Sequence, residues 1–269
     1  MPTLQRSDVS IYYEIRGTGP RVLMFNGSGA SIAGSGPLID ALAACHEVLV
    51  HDQRCLGASS IPDTQPTMAD YAADAAALLD HVGWATTAVF GISFGGMVAQ
   101  EFAVTWPERV ERLALLCTSA GGAGGSSYPL HTLAAMAPDE RARVSLHNLD
   151  TRFNDEWLAA HPFDKAIVDM MNARRDEVPS PERVRGDAMQ LEARRYHDVY
   201  DRLGRITCPT LVMCGEFDGL APVANSETIA ARIAGAELRQ YQGGHMFVVQ
   251  DRQAMPDVLG FLAGRHARL

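Results

Sequence analysis

Short apolar or β-branched runs, each bounded by turn residues, recur through the first half of the chain and return near its end. Runs of this length and composition predict β-strands, and the later ones lack the alternation of half-exposed strands, which indicates burial on both faces. The predicted strands are Val9–Ile15, Val22–Phe25, Val48–Val50, Ala88–Phe90, Leu113–Cys117, Thr210–Cys214 and Ala236–Tyr241.

Helical periodicity lies between these runs and is clearest over Met68–Val82. One face of that helix is predicted to carry Met68, Ala72, Ala75, Leu78, Leu79 and Val82, with Asp70, Asp74 and Asp80 off it. Further helices are predicted near Val223–Ile233 and Gln253–Leu262. Because strands that alternate with helices are joined by right-handed crossovers, the pattern predicts a mostly parallel sheet.

The alternation stops after Gly125 and resumes at Thr210. The stretch between them has a helical pattern throughout, with Pro138, Pro162 and Pro181 at the starts of its segments. We therefore predict a core domain formed by residues 1–125 and 206–269, and a helical cap formed by residues 126–205. The alternative is that these helices simply flank the sheet.

A glycine-flanked serine follows the strand that ends at Phe90. The residues from Gly91 to Gly95 read Gly-Ile-Ser-Phe-Gly and lead into a helical pattern. A serine on such a tight strand-to-helix turn is typical of a nucleophile elbow, whose crowding requires small residues two positions to either side. Ser93 is therefore the candidate nucleophile, and the alternative is a serine that only caps the helix.

A serine hydroxyl needs a base, and the base needs an orienting carboxylate. Asp218 and His245 each follow a predicted strand, and loops at the carboxyl ends of parallel strands open on one crevice, so both can reach Ser93. Glu216 is the competing carboxylate, but Gly219 provides the turn that favours Asp218. His51 is the competing base, although the Asp-Gln-Arg that follows it indicates a structural loop.

Two backbone amides should stabilise an oxyanion at this site. One is the N–H of Phe94, directly after the nucleophile, and the other belongs to the loop after the strand that ends at Phe25. That loop reads Asn-Gly-Ser-Gly, and we assign the second donor to Ser28, with Gly27 as the alternative. The glycines complete neither the dinucleotide-binding pattern nor the P-loop pattern, so a nucleotide site is not favoured.

Composition and charge exclude several classes of function. The 269 residues suit one large α/β domain, and the net charge of −9 comes without any basic run that could follow a phosphate backbone. Nucleic acid is therefore not an expected partner. We expect a monomer or a homodimer that binds a small molecule.

The same features bear on location. Five cysteines with no paired two-residue spacing indicate reduced thiols. The first seventeen residues lack the apolar core of a signal peptide, and the uncharged stretches at 22–39 and 113–138 contain too many glycines for a membrane span. We expect a cytoplasmic protein with no membrane association.

These motifs together resemble the capped α/β-hydrolase superfamily over almost the whole chain, most closely small bacterial esterases and oxoadipate enol-lactonases. The similarity continues through residues 95–100 and 106–113 and includes His81-Val82-Gly83 before the elbow strand. The resemblance implies an α/β-hydrolase fold: a mostly parallel sheet flanked by helices, with the cap inserted after the sixth strand. The triad order Ser, Asp, His also matches.

Two departures from the superfamily pattern stand out. The chain has Asn26-Gly27 where His-Gly is usual at the oxyanion loop, which leaves the backbone donors intact. It also has Cys55 at a position where the Asp-x-Arg-Gly motif has glycine. We interpret Cys55 as a buried, inert thiol, although a place near the pocket is the alternative.

The expected function is hydrolysis of a small carboxylic ester or lactone through an acyl-enzyme, with His245 as base and Asp218 fixing its tautomer. No cofactor or metal is implied. Carbon–carbon bond hydrolysis on the same triad is one alternative, because the fold does not determine the reaction. A non-catalytic ligand-binding member of the fold is another.

Selectivity should come from the cap. The candidate substrate-binding residues are Tyr128, Phe153, Trp157, Phe163 and Met170. An apolar pocket in an acidic protein favours neutral esters or lactones over anionic ones, unless a basic residue lies within it. The cap residues that could provide that positive charge are Arg152, Arg174, Arg194 and Arg195.

Overall fold

The computed structural model describes residues 2–175 and 179–265, without the side chains of residues 173–175. Within these residues eight strands form one sheet in the order β1-β2-β4-β3-β5-β6-β7-β8. The strands are β1 Thr3–Gln5, β2 Ser10–Arg16, β3 Arg21–Phe25, β4 Glu47–His51, β5 Thr87–Ile92, β6 Val110–Leu116, β7 Thr210–Gly215 and β8 Glu237–Tyr241. The β1–β2 and β2–β4 pairs are antiparallel, and the other pairs are parallel.

The mostly parallel sheet confirms the predicted fold class. Each of the seven predicted strands is present with ends shifted by at most a few residues. Only β1 was not predicted, because three residues with a single half-buried side chain carry no periodic signal.

Helices cover both faces of the sheet. They are α1 Gly36–Ala43, α2 Met68–His81, α3 Phe94–Thr105, α4 Pro138–Leu149, α5 Asp155–Ala160, α6 Pro162–Arg175, α7 Pro181–Arg195, α8 Val223–Arg232, α9 Phe247–Gln250 and α10 Ala254–Leu262. Among the described residues, no helix has both the length and the apolar character needed to cross a membrane.

Alternate residues of the central strands face two separate hydrophobic clusters. In β3, Leu23 and Phe25 pack into one cluster with α2 and α3, while Val22 and Met24 pack into the other with α1 and α10. These four side chains have no solvent exposure. The uninterrupted apolar run of β3 is therefore the consequence of burial on both faces.

Helix α2 begins with a capping box in which Thr67 and Asp70 each accept a hydrogen bond from the other's backbone N–H. The prediction that Asp74 lies off the buried face is wrong. Asp74 is 1% exposed and accepts two hydrogen bonds from Arg54, at 2.7 and 2.8 Å. A carboxylate can be buried there because the guanidinium compensates its charge.

Cys55 lies directly after Arg54 and is 2% exposed. Its φ of 74° is in the left-handed region that favours glycine, which explains why glycine is usual at this point of the motif. Burial raises the pKa of the Cys55 thiol, which keeps it protonated and unreactive.

Helices α4 to α7 and three short 3-10 segments lie between β6 and β7. Helix α7 contacts the core closely at Gly186, where a side chain would collide with the backbone carbonyl of Cys55. The division of the chain into core and cap domains stays a prediction.

Replacement of Asp74 should be much more destabilising than replacement of an exposed acid on the same helix. Asp74→Ala leaves the guanidinium of Arg54 buried without its main partner, and we expect a loss of about 3 kcal/mol in the free energy of unfolding. Asp80→Ala removes an exposed ion pair with Arg109 and should cost under about 1 kcal/mol. Urea denaturation measures both, and equal losses would contradict the prediction.

Candidate active site

Ser93 lies between the end of β5 and the start of α3, with φ 55° and ψ −119°. This conformation is rare for a residue with a side chain and costs roughly 1–3 kcal/mol. A Cβ at Gly91 would lie 2.7 Å from the Cβ of Ala99, and one at Gly95 would lie 2.6 Å from the carbonyl oxygen of Asn26. Both glycines of the motif are therefore required by close backbone contacts.

The structure brings Ser93, His245 and Asp218 into one hydrogen-bonded chain. His245 Nε2 lies 3.0 Å from Ser93 Oγ, and His245 Nδ1 lies 2.8 Å from Asp218 Oδ2. The other carboxylate oxygen of Asp218 accepts hydrogen bonds from the backbone N–H groups of Leu220 and Ala221, both at 2.8 Å. These bonds fix the carboxylate, which in turn orients the imidazole.

The two competing residues lie elsewhere. Glu216 is exposed and accepts a hydrogen bond from the side chain of Gln242. His51 is 1% exposed, and its ring contacts Phe25 edge to face at 5.6 Å. Burial lowers the pKa of His51 to about 4, so it is a neutral core residue.

Cys117 lies close to these three hydrogen-bonded side chains, and this position was not predicted from the sequence. Its Sγ, a carboxylate oxygen of Asp218 and a ring nitrogen of His245 lie within 4.8 Å of one another. Of the described residues, these form the one group of three with metal-ligand atoms so close together. Its place in the sequence could have indicated this. Cys117 directly follows β6 and therefore lies at the same edge of the sheet as the other three side chains.

The charge state of His245 depends on these neighbours. Burial alone would lower the pKa of His245, but the Asp218 carboxylate, with a smaller contribution from Cys117, raises it well above its usual value. The imidazolium form is therefore stabilised, as a base that accepts a proton in this site requires.

The loop after β3 lies against the elbow. A Cβ at Gly27 would be 3.6 Å from the Cβ of Ser93. Neither the N–H of Ser28 nor that of Phe94 has an acceptor among the described residues. Both amides therefore remain able to donate to a ligand beside Ser93.

Helix α7 of the predicted cap holds this loop in place. Gln190 Oε1 accepts a hydrogen bond from the backbone N–H of Gly29 at 2.7 Å, and Arg183 donates to the carbonyl oxygen of Gly29. Gln190 is 1% exposed. Sequence reasoning missed this contact because its partners are 161 residues apart and Gln190 lies in no motif.

The end of α4 contacts the two loops that carry Asp218 and His245. The backbone N–H of His245 donates to Leu149 O at 2.6 Å, and that of Thr151 donates to Phe217 O at 2.9 Å. Gly244 leaves room for this approach, because a side chain there would collide with Leu149 O.

The aromatic and methionine side chains expected to bind substrate have different environments. Phe153 is 7% exposed and packs with Leu149 and Val168 in a small cluster, which Trp157 joins from outside. In contrast, Phe163 is 59% exposed and Met170 is 47% exposed. Tyr128 is half-buried, and its carbonyl oxygen accepts a hydrogen bond from Arg194. Their role as substrate contacts stays a prediction.

Two of the four candidate cap arginines offer no free buried charge. Arg152 is paired with Asp150 at 2.6 Å, and its guanidinium stacks on Phe217. Arg195 is exposed near Glu192. The side chain of Arg174 lies outside the described residues. Arg194 differs from Arg152 and Arg195 because it is buried and donates to a backbone carbonyl oxygen, that of Tyr128.

Comparison with known proteins identifies the family. The family model of the alpha/beta hydrolase fold matches residues 20–251, and the chain therefore belongs to that family. It is 29% identical to a poly(3-hydroxyalkanoate) depolymerase from Ectopseudomonas oleovorans, over 99% of this chain and 93% of the other. It is 26% identical to 3-oxoadipate enol-lactonase 2 from Acinetobacter baylyi, over 94% and 92%.

A solved structure agrees with this assignment. A hydrolase from Pseudomonas aeruginosa PA01 superimposes with a TM-score of 0.78 and 30% identity, covering 98% of each chain. The proteins that this chain resembles are thus hydrolases built on the same fold.

The bond between Gln190 and Gly29 can be tested without any assumption about the reaction. Gln190→Leu should raise the hydrogen-exchange rate of the Gly29 amide about tenfold, because one buried hydrogen bond is lost. The control is Glu192→Leu on the same helix. Glu192 lies beside Arg195, and its replacement should leave the exchange rate of the Gly29 amide unchanged. Unaltered exchange at Gly29 in Gln190→Leu would show that α7 does not hold the loop.

Proposed function

We propose that this protein is a serine hydrolase that cleaves a small carboxylic ester or lactone through an acyl-enzyme. The observation that carries the proposal is the chain from Asp218 through His245 to Ser93, with hydrogen bonds of 2.8 and 3.0 Å, at a strained elbow. A merely structural serine has no need of a buried imidazole and carboxylate aligned behind it.

In the proposed mechanism, His245 accepts the proton of Ser93 Oγ as that oxygen attacks the acyl carbon. Asp218 stays ionised, fixes the tautomer of His245 and stabilises the imidazolium. The imidazolium then donates its proton to the leaving alcohol or enol oxygen. A water molecule, deprotonated by the same imidazole, attacks the acyl-enzyme and releases the acid.

The tetrahedral oxyanion needs two donors that are already in place. We assign these to the backbone N–H groups of Phe94 and Ser28, with Gly27 as the alternative to Ser28. Their lack of protein acceptors and the contact of Gly27 with Ser93 support the assignment. The start of α3 adds a favourable dipole for the same negative charge.

The choice of an ester or lactone rests on chemistry and on similarity. An acyl-enzyme suits any carbonyl with an alkoxide or enolate leaving group. One of the relatives is named an enol-lactonase, which supports the lactone within this class.

Loss of the nucleophile tests the proposal most directly. Ser93→Ala should lower turnover of a neutral ester such as 4-nitrophenyl acetate by at least ~10³-fold, because such triads lose orders of magnitude without their nucleophile. It should also abolish labelling by a fluorophosphonate probe while the circular dichroism spectrum is unchanged. Ser60→Ala, at an exposed serine outside the site, is the control. Undiminished turnover in Ser93→Ala would exclude the mechanism.

The carboxylate and the pH dependence can be tested together. His245 acts as a base only when neutral, so kcat/KM should fall as the pH drops through its raised pKa. Asp218→Asn should lower turnover by about 10³–10⁴-fold and move that fall to lower pH, because the carboxylate that raises the pKa is gone.

Glu216→Gln is the matched control for this experiment. Glu216 contacts Gln242 and not His245, so the variant should keep both the rate and the pH profile of the wild type. The opposite ranking of the two variants would assign the orienting role to Glu216.

A further inference from the structure

Arg194, near the end of α7, is a buried guanidinium with unused donors. The residue is 7% exposed, and its Nη1 donates to Tyr128 O at 2.8 Å. Neither Nε nor Nη2 has a hydrogen-bond partner among the described residues. An arginine in such a position is rare, because a buried positive charge is normally neutralised by an acidic partner.

No such partner acts on Arg194 in the described part of the chain. Burial alone lowers the pKa of Arg194 to about 10, without an opposing effect from any carboxylate. The group therefore remains positively charged at neutral pH. Its burial is unfavourable for folding, which is the usual mark of a group retained for binding.

A cavity of about 140 Å³ lies beside this side chain. Its wall includes two arginines, Arg194 and Arg195, two histidines, His131 and His197, and three serines, but no aspartate or glutamate. The positive charge of this wall comes from its arginines, because burial lowers the pKa of His197 to about 4 and leaves that ring neutral. It creates a local positive potential that attracts an anion.

Neutral donors in the wall add to this potential. Ser119 Oγ accepts hydrogen bonds from the backbone N–H and the hydroxyl of Ser127, at 3.2 and 3.0 Å. Its own hydroxyl hydrogen is therefore free to donate. The cavity thus combines a cationic donor with a hydroxyl donor, which suits an anion that accepts several hydrogen bonds.

The cavity adjoins the backbone of the candidate nucleophile. Met97 in its wall lies one turn of α3 after Ser93, a distance of roughly 6 Å between Cα atoms. Ser119 follows Thr118, whose hydroxyl donates to Ser93 O at 2.8 Å. The cavity wall therefore comes within one helical turn of Ser93.

We propose that this cavity is a subsite for a carboxylate carried by the substrate, bound by the Nε and Nη2 edge of Arg194. That planar edge places two N–H groups side by side, and they match the two oxygens of a carboxylate. Both nitrogens are fully buried in this conformation, so the side chain turns for its edge to face a ligand in the cavity. The assignment to the substrate rests on the proposed hydrolase function.

A subsite for a carboxylate contradicts the expectation, based on the net charge of the chain, that neutral substrates are preferred. The net charge acts at long range and is screened by salt, whereas Arg194 acts at contact distance in a buried site. Within the cavity the local charge therefore decides the preference.

Two alkyl esters of the same length provide the kinetic test. Monoethyl glutarate carries a terminal carboxylate where ethyl pentanoate carries a methyl group. We expect a kcat/KM for monoethyl glutarate at least tenfold higher than for ethyl pentanoate in the wild type, since hydrogen bonds to charged groups contribute on the order of 10–100-fold. Equal values, or a preference for ethyl pentanoate, would overturn the subsite.

Arginine variants inside and outside the cavity assign the effect. Arg194→Met should lower kcat/KM for monoethyl glutarate by about 30-fold and change that for ethyl pentanoate by less than about threefold. Arg143→Met, at an exposed arginine on α4 that is not in the cavity wall, should change both by less than about threefold. Arg194→Lys keeps a charge without the planar edge and should fall between the wild type and Arg194→Met, which provides a second variant if Arg194→Met fails to fold.

A binding test that needs no turnover separates this proposal from the proposed function. In Ser93→Ala, sodium propanoate at constant ionic strength should raise the thermal midpoint relative to chloride, because it binds only the folded state. Arg194→Met should remove that shift, and its own midpoint without propanoate should not fall, because an unpaired buried charge has been removed.

The outcomes are distinguishable. Stabilisation by propanoate with neither ester hydrolysed would support the subsite and contradict the hydrolase function. Hydrolysis of ethyl pentanoate with no stabilisation and no preference for monoethyl glutarate would support the hydrolase function and overturn the subsite. Sulfate and phosphate also stabilise folded proteins without a site, so the part of the shift that Arg194→Met removes is compared, and a larger such part with phosphate or sulfate than with propanoate would overturn the assignment to a carboxylate.

Discussion

The turn at Ser93 is the constraint on which the rest of the site depends. The chain passes from β5 into α3 with no intervening loop, so Ser93 is forced to a positive φ. That conformation is maintained because Gly91 allows α3 to lie directly against β5 and Gly95 allows it to lie against the end of β3. The same contact brings the loop at Gly27 beside the serine, so the candidate nucleophile and the proposed oxyanion donors share one packing arrangement.

The segment between β6 and β7 completes this arrangement. Its helix α7 fixes the loop at Gly29 through Gln190, and the end of α4 contacts the backbone of His245. In both places the contact is between a helix of the predicted cap and a loop at the carboxyl edge of the sheet. The site is therefore held from both sides, which limits the motion of loops that the sheet alone would leave free.

Two buried arginines illustrate different uses of charge in this fold. Arg54 has Asp74 as a bidentate partner, and together they join the loop after β4 to α2. In the described part of the chain, Arg194 has only a backbone carbonyl as the partner of one of its nitrogens. A paired charge contributes to a defined structure, whereas an unpaired one remains available to a ligand at a cost in stability.

Every described strand except β1 could be predicted from the pattern of residues, in its order along the chain. Strands buried on both faces have a continuous apolar pattern, and the elbow and the loops at Asp218 and His245 are local in the chain, so each could be predicted from a few neighbouring residues. The burial of Asp74 could not, because it depends on Arg54, which lies 20 residues away. Three other features also depend on which distant segments meet. They are the position of Cys117 beside His245, the hydrogen bond between Gln190 and Gly29, and the burial of Arg194 without an acidic partner among the described residues. Only the tertiary structure decides these, because proximity across a fold leaves no periodic signal in the chain.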